Sequence, residues 1–91
     1  MVVVNMIVDL ELPYAEGKKG RRAILNSIKD RLKNRNISLL DLSDEYPKHA
    51  SLAIVYVSGD TVAAKKKIMT IEELIYQVDS SLVFDISYEI L

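Results

Sequence analysis

The chain has no cysteine and no tryptophan, and only one histidine, one phenylalanine, two prolines and three glycines. Without cysteine there are no disulfides, no thiolate nucleophiles and no sulfur-liganded metal sites. A lone histidine, His49, has no companions for a metal centre and no obvious nucleophile to serve as general base, so it reads as a surface residue in a turn. No stretch of about 18 apolar residues occurs, so no membrane span is expected. The N-terminus does not read as a secretory signal: no basic stretch precedes Val2–Val4, and Asn5 and Asp9 interrupt the apolar run. These absences point to a cytoplasmic protein with no metal and no cofactor.

What is present is globular composition: 91 residues, 49% hydrophobic and 27% charged. That length fits a single domain over residues 1–91. A chain this short buries only about 60–65% of its unfolded surface, so some apolar residues must stay exposed and self-association is a reasonable expectation.

Met1–Leu12 alternates, with Val2, Val4, Met6, Val8, Leu10 and Leu12 on one face and Asn5, Asp9 and Glu11 on the other. Such a period of two marks a strand with one buried face, and Pro13 ends it. Lys19–Arg35 is predicted helical on the stripe Leu25, Ile28 and Leu32, with Asn34 and Asn36 as stop signals. Ile37–Leu42 is a second short strand, Ser43–His49 a turn, and Ala50–Val57 a nearly continuous apolar strand suited to a central position. Asp60 is a good N-cap for a second helix over Thr61–Asp79, whose stripe is Ala64, Ile68, Ile71, Ile75 and Val78. Leu82–Ile90 alternates again. The order β-α-β-β-α-β with right-handed crossovers predicts an α+β, ferredoxin-like sandwich, sheet order 4-1-3-2, with both helices on one face.

Charge is the feature that departs from a bland domain. Between Lys18 and Asn36 lie eight bases and one acid, Asp30, and Lys65-Lys66-Lys67 adds a run in the second helix. Antiparallel helices would bring Lys65–Lys67 near Arg31, Lys33 and Arg35. Lys18–Arg22 would fall at the other end, toward Glu72, Glu73 and Asp79. The open sheet face would carry Asp9, Glu11, Asp85 and Glu89. Cations opening a helix oppose its dipole, and Gly20 in the first turn costs about 1 kcal/mol against alanine. A locally disfavoured start rich in N–H groups and Lys/Arg suits a phosphate or carboxylate. Candidate anion-binding residues are therefore Lys18, Lys19, Arg21, Arg22, Arg31, Arg35, Lys65, Lys66 and Lys67. The competing reading is a solvated or ion-paired helix face, with Lys18–Arg22 paired to acids of the second helix.

No catalytic motif emerges, and an enzyme is not expected. Gly17-Lys18-Lys19-Gly20 lacks the spacing and the following Ser/Thr of a phosphate-binding Walker loop. Asp9 with Glu11, and Glu72 with Glu73, are neighbours along one element without a pocket between them. The strand order is that of RNA-recognition domains, but their aromatic sheet motif is missing, so a nucleic acid would have to meet the helical side. Acylphosphatases share the strand order and place an arginine where Arg21 or Arg22 would fall. Their glycine-rich loop is absent.

Three stretches carry a family resemblance: Glu16-Gly17-Lys18-Lys19-Gly20-Arg21-Arg22, Asn36-Ile37-Ser38-Leu39-Leu40-Asp41-Leu42, and the apolar strand Ala50–Ser58 ending in Val-Ser. Through them the chain resembles the YlxP-like family of small bacterial proteins (domain of unknown function 503), as a divergent member. Lys18 and Arg21 match that family's Ser-Leu-Lys-x-Lys-Arg motif, whereas Glu16, Gly17 and Gly20 do not. The family's Asp-x-Trp-Gln-Arg segment has no counterpart beyond Asp44–Tyr46. The resemblance implies a ferredoxin-like fold and, from gene neighbourhoods, work near RNA or the ribosome. The expected function is a non-enzymatic module binding RNA, a ribosome or another polyanion through the basic helical layer. The alternative is a structural or small-ligand regulatory homo-oligomer paired through the sheet, where Val3, Ile7 and Val83 occupy the open face.

Overall fold

The computed structural model describes residues 1–91. Its elements run β1 (Val2–Glu11), α1 (Gly17–Leu32), β2 (Ser38–Asp41), β3 (His49–Ser58), α2 (Thr61–Val78) and β4 (Val83–Ile90). All pairings are antiparallel, and the four strands lie in the order β2-β3-β1-β4. That is the expected ferredoxin-like 4-1-3-2 order read from the other edge. β1 and β3 are central and pair along their whole length, from Val2 opposite Ser58 to Glu11 opposite His49.

The buried face of the sheet follows directly from alternation. Val4, Met6, Val8 and Leu10 of β1, with Leu52 and Ile54 of β3, are fully buried beneath the helices. α1 lays Leu25, Ile28 and Leu32 on this surface, and α2 adds Ala64, Ile68, Ile71 and Ile75. All 18 buried residues belong to one hydrophobic cluster, and none is charged. The buried tyrosine, Tyr56, donates its hydroxyl to the Ala64 carbonyl at 2.8 Å, so it leaves no polar atom unpaired. Burial, then the neighbouring Tyr88, raises its pKa.

The helix boundaries differ from the sequence expectation at α1. The helix ends at Leu32, three residues before Arg35: Lys33 is already extended (φ −63°, ψ 153°), and Asn34 and Asn36 beyond it take left-handed backbone (φ 64° and 56°). Asparagine tolerates that region, so the chain turns away there. α1 also begins earlier, at Gly17, with φ +68°. At α2 the expected cap is present: Asp60 accepts from the Ala63 backbone N–H at 2.8 Å.

The two glycines at the start of α1 differ in whether the backbone requires them. At Gly17 a side chain would find open space, but the φ is left-handed, which other residues adopt at a cost of roughly 1–2 kcal/mol. Gly20 has ordinary helical backbone and packs against Ala15, where a Cβ would meet the nearest backbone atom at 3.4 Å, ordinary contact. Gly17→Ala is therefore expected to destabilise the chain by about 1 kcal/mol. Gly20→Ala is expected to be neutral or stabilising by up to about 1 kcal/mol through helix propensity. Urea denaturation of both variants checks the opposite signs. Ordinary contact with Ala15 leaves room for a Cβ at position 20, so packing does not require glycine there.

Candidate functional site

The antiparallel helices bring the end of α1 beside the start of α2, and an open groove of about 590 Å³ lies between them. Its walls hold Arg31, Lys33 and Arg35 on one side and Lys66 and Lys67 on the other, with Asn34, Asn36 and Thr70 between. No carboxylate lines it. The left-handed asparagines turn the chain as it leaves α1 and set Arg35 against the second helix, where Lys67 donates to the Arg35 carbonyl. Arg35 in turn donates Nε to the Arg31 carbonyl at 3.3 Å, and Arg31 reaches Gln77 of α2 at 3.1 Å. Lys67 also stands over the Tyr56 ring, 4.8 Å from its centroid.

These contacts orient the cations without neutralising them, because the acceptors are carbonyl or amide oxygens. Lys33 alone has an ion partner, Asp30 at 3.8 Å one turn earlier, and both side chains are largely exposed. Such a pair is worth little against solvent. A phosphate entering the groove would meet several cations that no carboxylate in the groove neutralises, with no desolvated charge to displace.

The remaining candidates are distributed differently. Consecutive helical residues are about 100° apart, so Lys65, Lys66 and Lys67 cannot share one face. Lys66 and Lys67 line the groove and Lys65 does not. At the start of α1, Lys18 pairs with Glu45, and Arg21 donates through Nη1 to the carbonyls of Asp44 (2.8 Å), Tyr46 (2.8 Å) and His49 (3.2 Å). Lys29 stands 3.9 Å from Asp41. The partners expected for Lys18–Arg22, the acids of α2, are not used. The β2–β3 loop supplies them instead, since it folds back beside the helix start. Lys19 and Arg22 stay exposed without an ion pair.

The same contacts shift the carboxylates of this second cluster. Glu45 has its pKa lowered by the hydrogen bond and charge of Lys18. For Asp41, burial pushes the carboxyl up, but hydrogen bonds from Ser43 and the charges of Lys29 and Arg21 outweigh it and hold the pKa below its ordinary value. Arg21, one of the two positions where the acylphosphatase arginine would fall, has one guanidinium nitrogen spent on three carbonyls. Its role is to fasten the β2–β3 loop to α1. The start of α1 also has Glu16 at its N-cap, making no side-chain cap and presenting negative charge where an anion would approach.

The open face of the sheet carries Asn5, Asp9, Glu11, Asp85 and Glu89, as expected. Asp9 sits directly opposite Asp85, a like-charge pair that opposes sheet stability. His49 is 3.7 Å from Asp9 and occupies the face just ahead of Ser51. No three acidic or histidine side chains converge in a way that could hold a metal ion. The apolar part of this face is larger than Val3, Ile7 and Val83 alone. Val57 pairs with Val3, and Ala53 lies between Ile7 and Leu40. No helix is long and apolar enough to cross a membrane.

Sequence reasoning assembled the groove cations but passed over Asn34, Asn36 and Thr70 as lining groups. The available signal was two asparagines in three residues at a helix end, a pattern that permits a left-handed exit.

Comparison with solved structures places the fold among known ones. The chain superimposes on the de novo designed protein LFR1, described as having a ferredoxin fold, with TM-score 0.64 and 17% identity over 98% of this chain and 86% of that one. The de novo designed protein Foldit4 gives TM-score 0.58 at 12% identity, covering 97% and 94%. SnoaB, a cofactor-independent oxygenase from Streptomyces nogalater, gives 0.56 at 6% identity, covering 96% and 90%. At these identities the likeness concerns fold alone, and two of the three were designed without a natural role. No curated protein matches the chain. The model of one family, described as Protein of unknown function (DUF503), matches residues 3–88. That match spans nearly the whole domain, and the chain belongs to the DUF503 family.

Proposed function

We propose that the protein is a non-enzymatic binding module for RNA or a comparable polyanion, with the groove between α1 and α2 as its contact surface. The observation that carries this reading is five cations, Arg31, Lys33, Arg35, Lys66 and Lys67, lining one groove that contains no carboxylate. The chain as a whole has a net charge of −1, so attraction for a polyanion has to be local, and this groove is where positive charge is concentrated. The acidic open sheet would repel phosphates, which leaves the helical layer as the side an RNA strand approaches. The gene neighbourhoods that the YlxP-like resemblance implies, beside translation and ribosome-maturation factors, favour the same partner, and a cytoplasmic location goes with it.

The test is fluorescence anisotropy with a labelled single-stranded RNA over a range of salt. For about 3–5 phosphates engaged, log affinity should fall against log salt with a slope between about −2 and −3.5, at ~0.7 per contact. Absence of binding at low salt removes the reading.

A second reading is association of two copies through the open sheet face, as a structural or small-ligand regulatory unit. It is favoured by the contiguous exposed residues Val57, Val55 and Leu40 beside Val3 and Ile7. The acids at the other end of that face limit the apolar area available.

A further inference from the structure

The outer side of α2 carries a pattern that neither the groove nor the core uses. Val62, Met69 and Tyr76 are 77%, 64% and 49% exposed. They are spaced seven apart, two helical turns, and so form one stripe along the helix. The stripe lies away from α1: Tyr76 packs on Phe84 of β4 with ring centroids 4.7 Å apart, whereas the α1 side of the helix is marked by Lys67 and Gln77 in contact with Arg35 and Arg31. Large apolar residues repeated every seven positions along one helix face offer a second helix a regular series of contact points.

The charges around the stripe are arranged about its midpoint. Lys65 and Lys66 lie four and three residues before Met69, and Glu72 and Glu73 lie three and four after it. None of the four takes part in an intrachain ion pair. The reason is spacing. Helical partners sit three or four residues apart, and the residues at those offsets between the two pairs are Ile68, Met69 and Thr70. The lysines and glutamates are therefore mutually out of reach within one helix, yet matched for a second one running the opposite way.

We propose that a second copy of the chain docks on this side of α2, helix against helix and antiparallel, about a two-fold axis passing through Met69. Met69 then meets Met69, Val62 meets Tyr76, and Lys65 and Lys66 of each copy face Glu72 and Glu73 of the other. A parallel arrangement would set lysine against lysine and is excluded by charge. The interface is isologous, as closed dimers require. It leaves the groove on the opposite flank of α2 open in both copies, with Lys66 at the boundary between the two surfaces. Three apolar residues and their flanking charges make a small contact, below the ~1,200 Å² of standard interfaces, so the dimer is a weak one.

Sedimentation equilibrium from about 10 µM to 1 mM covers the range of weak association. The wild-type chain should gain mass with concentration, and Met69→Lys should raise the dissociation constant at least tenfold. A variant with Lys65→Glu and Lys66→Glu, and another with Glu72→Lys and Glu73→Lys, should each be monomeric. Mixed in equal amounts they should associate again, because every facing pair is then of opposite sign. All four positions are on the helix surface, and circular dichroism verifies folding. A wild-type chain that is monomeric throughout overturns the proposal. So does a mixture no heavier than its components, or a dimer abolished by Val57→Lys on the sheet and untouched by Met69→Lys.

Discussion

With Arg31 and Arg35 both replaced by alanine, the chain is expected to bind single-stranded RNA about a hundredfold more weakly at low salt. Hydrogen bonds to charged groups are worth about 1.5–3 kcal/mol. The groove is open to solvent, so the lower end applies, close to tenfold for each cation. The salt slope should also become shallower by about 1.4, two contacts at ~0.7 each. Stability should hardly change, since both side chains are exposed and surface substitutions usually stay within about 0.5 kcal/mol. The matched control is Lys19→Ala with Arg22→Ala, which removes the same charge from exposed positions at the far end of α1. If that pair weakens binding equally, affinity comes from overall charge, and the groove loses its special status.

Ile54→Ala should destabilise the domain by about 2–5 kcal/mol, through lost transfer energy and the cavity left behind. Ile54 is fully buried in β3, opposite Met6 of β1 and Leu39 of β2, so the sheet cannot easily collapse around the gap. Against a total of roughly 5–14 kcal/mol for a chain of this length, the loss is a large fraction. Guanidinium denaturation should show a lower midpoint with an unchanged slope. Val57→Ala, three residues along on the opposite face and 59% exposed, should shift the midpoint by no more than about 0.5 kcal/mol equivalent. Equal losses at both positions would mean that the open face is covered, or that β3 is not held in this register.

The faces of β1 and β3 were legible because a strand's side chains alternate strictly. Once Val4, Met6, Val8 and Leu10 are known to share a face, their burial follows from needing one apolar layer under two helices. The stripes of α1 and α2 were legible for the same reason at a period of 3.6. The end of α1 was less so. Arg35 continues a charged run that suits a helix, whereas the chain leaves the helix at an extended Lys33 and turns through the left-handed Asn34 and Asn36. The candidate site divides along a similar line. Lys66, Lys67, Arg31 and Arg35 could be brought together from helix order alone, since antiparallel helices juxtapose end and start. The fate of Lys18 and Arg21 could not, because their partners come from a loop whose path no local pattern specifies.

Residue type and spacing along the chain were enough to set the order of elements, the buried faces and the excess of positive charge on the first helix. Which of those charges remain available is a matter of folding in three dimensions: Lys18 and Arg21 are taken by the β2–β3 loop, while the groove cations meet only neutral oxygens or, for Lys33, an exposed neighbour. Coulombic pairing depends on distance in space, and residues 23 to 28 positions apart are placed beside one another only when the sheet closes.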